Sequence, residues 1–161
     1  TQNSEMWYPR FRFAEALLIA AEAAYELGGT NKVKAVEYIN RVRARGGIKE
    51  LTESTITFEH IVNEYRVEFA FEDHRWWDLR RWRLAHTVWN GVIDSPTAQM
   101  YSLFPYKVYA PGSPYDGKWA FEKSRSYMAP NARNFTMRCY YGSIDDGWIN
   151  KNPKLVKNPL Q

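Results

Sequence analysis

The chain holds 161 residues, 45% hydrophobic and 25% charged, which is ordinary globular usage and excludes disordered, collagen-like and coiled-coil classes. Lys and Arg exceed Asp and Glu by 22 to 18, a net charge of +4 with no dense basic run, which argues against a nucleic-acid footprint. The single cysteine, Cys139, excludes an internal disulfide framework, and the longest apolar stretch, residues 14–24, is broken by Glu15 and Glu22 and is shorter than the roughly 20 residues of a membrane span.

Helical periodicity dominates the chain up to Gly91, and seven of the eight prolines lie beyond it. The reading is a mostly α protein, with helical hairpins over residues 1–90 and an irregular, loop-rich tail over residues 91–161. A first helix is expected over residues 9–27, with Pro9 in its first turn, Phe13, Leu17, Ala20, Ala21 and Ala24 on one face, and Gly28 at its C-terminal cap. A second, over residues 32–45, takes Thr30 or Asn31 as N-cap, places Val36, Ile39 and Val42 on one stripe and stops at Gly46 and Gly47. A third, over residues 58–72, starts after Thr57 and buries Ile61, Tyr65 and Phe69. A fourth, over residues 75–89, carries Trp76, Leu79 and Trp82 or Arg83. The hairpin length matches tetratricopeptide-like units, and two such hairpins alone are marginal, so further helices are expected upstream.

The tail is punctuated at Pro96, Pro105, Pro111-Gly112 and Ser113-Pro114, with short strands near residues 107–109 and 119–122. It also carries the charge excess, with 9 Lys/Arg against 5 Asp/Glu in residues 91–161, whereas residues 1–90 balance at 13 each. Tyr101, Phe104, Tyr106, Tyr109, Tyr115 and Trp119 lie here with no helical period to hide them. Flat rings on loops suit the apolar faces of sugars, and Gln99, Asp116 and Lys118 could bond hydroxyls. Tyr101, Tyr106, Tyr109, Tyr115 and Trp119 are therefore the ligand-facing candidates.

Two other constellations carry weaker chemistry. His60, Glu64 and Glu68 fall on one helical face like a metal stripe, but no further histidine is placed to complete a site, since His74 and His86 are isolated. Glu64 and Glu68 also have a spacing compatible with a glycosidase pair, yet Arg66, Arg75, Arg80 and Arg81 are near enough to pair with them. The run from His74 to Trp82 packs three Trp with four basic or imidazole groups. It is read as scaffold, with Trp faces between helices and arginines on Glu64, Glu68 or Glu72. No metal, cofactor or nucleophile motif is found.

The segment NEYRVEFAFEDHRWWDLRRW, residues 63–82, resembles the signature helix pair of the SusD/RagB family. RFAEALLIAAEA at residues 12–23, YINRVRAR at residues 38–45 and NPKLVKNP at residues 152–159 resemble further family stretches in the same order. Asp73 stands where the family usually has Gly, and YYGSI at residues 140–144 replaces a usual Phe-Pro-Ile-Pro-like segment.

The resemblance implies the C-terminal portion of an outer-membrane lipoprotein of Bacteroidetes, exposed at the cell surface. Such a protein binds an oligosaccharide or other nutrient oligomer, without catalysis or cofactor, and partners a SusC-like TonB-dependent transporter. Its N-terminal part, export signal and lipid anchor would lie upstream of Thr1. Glu64, Glu68, His74, Arg75, Trp76, Asp78 and Arg80 then form a structural signature. No position inherits a binding role by motif. A helical-repeat adaptor that binds only protein is the alternative.

Overall fold

The structure, a computed structural model, describes residues 10–127 and 129–161, so the expected helix start at Pro9 lies outside the described residues. Six α-helices and one two-stranded sheet are seen among them, as expected of a mostly α chain. The chain forms two compact units, Thr1–Trp77 and Asp78–Gln161. Their boundary falls inside a helix rather than at the compositional break near Gly91.

In the first unit, α1 (Phe13–Leu27) and α2 (Lys32–Arg45) pair as a helical hairpin across a single 3-10 turn at Gly29–Asn31. Leu17, Leu18, Ala21 and Ala24 of α1 face Ala35, Ile39 and Val42 of α2 in the core, and the small alanines allow close approach. Phe13, expected on that face, is 67% exposed instead, and Leu18 takes the buried place. The 3-10 turn runs directly into α2, so neither Thr30 nor Asn31 caps it with a side chain. The C-terminal end follows the expectation. Gly47, at φ 64°, lets Ile48 N donate to Arg43 O and Gly47 N to Ala44 O, the paired bonds of a Schellman stop.

Helix α3 (Phe58–Glu68) packs on α1 and buries Ile61 and Tyr65, with Phe69 buried just past its end. Thr57 is its N-cap: the Thr57 hydroxyl accepts from His60 N, and His60 Nδ1 accepts from Thr57 N at 3.2 Å. The helix ends at Glu68, short of the expected residue 72, because Phe71 and Asp73 take φ values of 68° and 62°. Asp73, in the position where the resembling family has Gly, occupies a left-handed turn that Gly enters more easily but Asp tolerates.

Helix α4 (His74–Arg81) spans the unit boundary and is likewise shorter than the expected 75–89. Arg83 at φ 58° closes it, with Leu84 N donating to Leu79 O and Arg83 N to Arg80 O, the same stop as in α2 but built on an arginine. Within the expected span the chain then re-enters helix for the short α5 (Ala85–Val88).

The second unit has its own small core of Leu79, Ala85, Trp89 and Phe135, with Leu84, Val88 and Tyr140 against it. Backbone bonds from Phe135 N to Trp89 O and from Gly91 N to Arg133 O pin residues 133–135 beside the end of α5. Strands β1 (Tyr101–Lys107) and β2 (Trp119–Arg125) form an antiparallel hairpin; β2 contains and extends the strand expected at residues 119–122, whereas β1 precedes the one expected at residues 107–109 and meets it only at Lys107. Pro105, read as a turn residue, lies within β1. Both strands of a two-stranded sheet are edges, which is where a residue without an N–H fits. A short α6 (Asp146–Lys151) follows, its first turn capped by Asp145 Oδ1 accepting from Gly147 N at 2.8 Å.

Candidate functional site

The signature residues of the helical half are bound into an ionic brace. Glu64, 4% exposed, accepts from Arg43 Nη1 at 2.6 Å, and Arg43 also donates to the Lys49 carbonyl through Nε and Nη2. Glu68 is held by Arg12 at 2.7 Å and Arg45 at 2.6 Å, while Arg12 Nε donates to Glu72 at 2.8 Å. The carboxylates draw their partners from α2 and from the residue that caps α1, not from Arg66, Arg75, Arg80 or Arg81 as expected from nearness in sequence. The hydrogen bond to Glu72 is the largest of the influences that raise the Arg12 guanidinium above its ordinary value.

His74 stacks on Phe69 with ring centroids 4.3 Å apart. Asp78 is buried and accepts from Arg81 Nε at 3.1 Å. Arg80 donates to the Tyr140 carbonyl and lies over the Phe135 ring. Arg81 stacks on Trp82 at 4.4 Å. Trp76 and Trp77 do not pack between helices as expected; they are 44% and 66% exposed.

The metal and hydrolase arrangements are not assembled. His60 spends its Nδ1 on the α3 cap, and both glutamates are locked by guanidinium groups. Among the described residues no group of three or more His, Cys, Asp or Glu is placed to hold a metal ion.

The five ligand-facing candidates all lie on one hairpin, though not on one of its faces. Pairing runs Tyr101 to Arg125, Leu103 to Lys123, Pro105 to Phe121 and Lys107 to Trp119, and these eight residues share one face. Ser102, Phe104 and Tyr106, opposite Ser124, Glu122 and Ala120, share the other. Tyr101 and Trp119 are thus on the first face and Tyr106 on the second. Tyr109 and Tyr115 sit in the connecting arch of residues 108–118, which is closed by Val108 N to Lys118 O and by Ala110 N to Asp116 Oδ1.

Exposure is high throughout: Tyr106, Tyr109, Tyr115 and Trp119 are exposed, with only Tyr101 half-buried. Leu103, Phe104 and Phe121 join them as exposed apolar groups; Leu103 and Phe121 carried no ligand-facing expectation, since only the strand register puts them beside the tyrosines and Trp119.

Polar contacts orient these rings. Tyr106 OH donates to Glu122 Oε2 at 2.6 Å, which raises the phenol above its ordinary value. Tyr101 OH donates to Asp94 Oδ1 at 2.7 Å, and Arg125 grips the same carboxylate at 3.0 Å. Arg125 first and Tyr101 second hold the Asp94 carboxyl below the usual range. Lys123 Nζ lies 3.9 Å over the Tyr101 ring and Lys118 Nζ 5.5 Å from that of Tyr115. Asp116 is spent on the arch backbone. Gln99 is buried and donates to the Ala129 and Pro130 carbonyls, so it holds a loop rather than meeting a ligand.

A salt-braced helical hairpin lies in one unit and an exposed aromatic hairpin in the other, with no assembled catalytic centre among the described residues. The profile described as the SusD family matches residues 1–160, and the chain belongs to that family. It is 36% identical over 107 residues to SusD-like protein P2 of Formosa agariphila, covering 59% of this chain and 21% of that protein. It is 33% identical over 107 residues to the starch-binding protein SusD of Bacteroides thetaiotaomicron, covering 62% and 18%.

Among solved structures, a SusD-like protein from Bacteroides fragilis superposes with a TM-score of 0.68 at 26% identity, over 94% of this chain and 25% of that one. Surface glycan-binding protein A from Bacteroides uniformis does so with a TM-score of 0.52 at 26% identity, over 94% and 27%. The chain spans about a fifth of the length of the curated relatives it matches.

Proposed function

We propose that the protein is a non-catalytic glycan receptor on the surface of the outer membrane. It hands its ligand to a SusC-like TonB-dependent transporter and is held to the membrane by a lipid anchor upstream of this chain. The observation that carries this reading is the cluster of exposed aromatic rings on the β1–β2 hairpin of a SusD-family chain. Tyr and Trp faces stack on the C–H faces of sugar rings, and their polar tips remain in water. Two similar proteins, the starch-binding protein SusD and surface glycan-binding protein A, point the same way. In this reading the helical hairpins up to residue 90 are scaffold and residues 91–161 present the ligand surface. In this reading Glu64 and Glu68 serve the scaffold, since their oxygens are already taken by Arg43, Arg12 and Arg45.

The test is a glycan array followed by isothermal titration, on the full-length parent and on this chain side by side. Trp119→Ala is expected to weaken binding by about tenfold, the loss of one stacked ring, while Tyr106→Ala and Tyr115→Ala test the opposite face and the arch. Unchanged affinity in all three variants removes the hairpin from the site, and binding by the parent alone puts the site upstream.

A further inference from the structure

The two faces of the hairpin differ in charge. On the face shared by Tyr101, Leu103, Pro105, Lys107, Trp119, Phe121, Lys123 and Arg125, the pairing places three cations and no carboxylate; the one strand carboxylate, Glu122, is on the opposite face with Tyr106. Asp94 answers only Arg125 as an ion pair, and Lys107 makes none among the described residues.

The order along this face is also regular. Lys107 stands across from Trp119, Phe121 comes one level on, Lys123 the next and Arg125 the last. Lys107 lies four residues along β1 from Leu103, the partner of Lys123, or roughly 13 Å at about 3.3 Å per residue. The ring of Trp119 lies at the level of Lys107 and that of Phe121 between the two lysines, each 63% exposed. A ligand lying along the face would meet apolar stacking in the middle and positive charge at both ends. A neutral sugar uses only the middle.

Resting on the glycan reading, we propose that this face selects acidic glycans, oligomers that carry a carboxylate or sulfate at intervals along an otherwise stackable chain. The rings of Trp119 and Phe121 take the sugar faces, and Lys107 and Lys123 take anionic groups on successive residues. Exposed lysines suit this exchange, since they are hydrated, mobile and yield to a ligand without a buried charge being uncovered. The α1–α2 cavity of about 360 Å³, which Arg12, Arg41 and Arg45 also line, is less open to an anion, because Arg12 and Arg45 are already engaged by Glu68.

The experiment titrates the full-length protein with an oligogalacturonate, a sulfated galactan oligomer and a maltooligosaccharide of matched length, at about 0.05 M and 0.5 M salt. Acidic oligomers should bind at least about tenfold more tightly than the neutral one at low salt. That margin should shrink at high salt, because exposed charges are screened beyond a Debye length of a few ångströms. Lys107→Gln with Lys123→Gln should reduce acidic binding by about five- to tenfold, with Lys154→Gln, an exposed lysine outside the hairpin, as the control.

The ratio of the two acidic arms identifies the anion. Equal affinity for acidic and neutral oligomers, with Trp119→Ala still weakening both, overturns the selectivity and leaves the glycan reading standing. No binding by any oligomer overturns both.

Discussion

The two units are stabilised in opposite ways. In the first, three helices bury a compact apolar face, and every buried or half-buried carboxylate of the signature meets a guanidinium from a different part of the chain: Glu64 on Arg43, Glu68 on Arg12 and Arg45, Glu72 on Arg12. In the second, a small core around Leu79, Trp89 and Phe135 carries a hairpin whose side chains are mostly exposed on both faces. A two-stranded ribbon with no buried face is marginal in water, so its residues are free to be chosen for what they touch rather than for what they support. The contrast teaches where changes should be felt: in stability for the brace, in binding for the hairpin.

The largest effect should come from Arg43→Ala. It leaves the Glu64 carboxylate buried without its partner and frees the Lys49 carbonyl, and about 3 kcal/mol of stability should be lost in chemical unfolding. A loss below about 1 kcal/mol would mean that water replaces the guanidinium, and the brace would be a surface feature.

Thr57→Ala should cost about 1 kcal/mol, since the cap of α3 loses its acceptor for His60 N. Thr57→Ser, which retains the hydroxyl, should recover most of that in the same thermal melt.

Phe121→Ala should change stability by no more than about 0.5 kcal/mol, because the ring is 63% exposed. A loss of 2 kcal/mol or more in the full-length protein would show that this face is covered there, and the contrast between the units would fail.

Much of the helical unit was legible in the residues. The apolar stripe of α3, the Thr57 cap and the Gly46-Gly47 stop are local signals, each read within four or five positions, and the structure places them as expected; on α2, Ile39 and Val42 are buried as expected, but Ala35 is buried where Val36 was expected. Helix α4 was misread because its stop rests on Arg83 in a left-handed turn, where the usual marker is Gly. Helix α3 was read too long for the same reason at Phe71 and Asp73. Phe13 falls on the α1 period that points to the core, yet it is 67% exposed and its ring lies under Arg41 at 5.3 Å.

The ligand candidates were legible as a composition, not as an arrangement. Their clustering in proline-rich sequence pointed to exposure, and four of the five are exposed. That Tyr106 faces away from Tyr101 and Trp119 depends on strand register, and a slip of one residue would exchange the faces.

The sequence by itself determined the family, the mostly helical class and the positions where α2 and α3 begin, because motif, periodicity and capping act over short spans of chain. Only the tertiary structure decided which arginine meets which glutamate, across separations of 21 to 60 residues, and which hairpin face holds the positive charge. Such pairings are chosen by the packing of helices and the register of strands, and a side chain's neighbours in sequence say little about its neighbours in space.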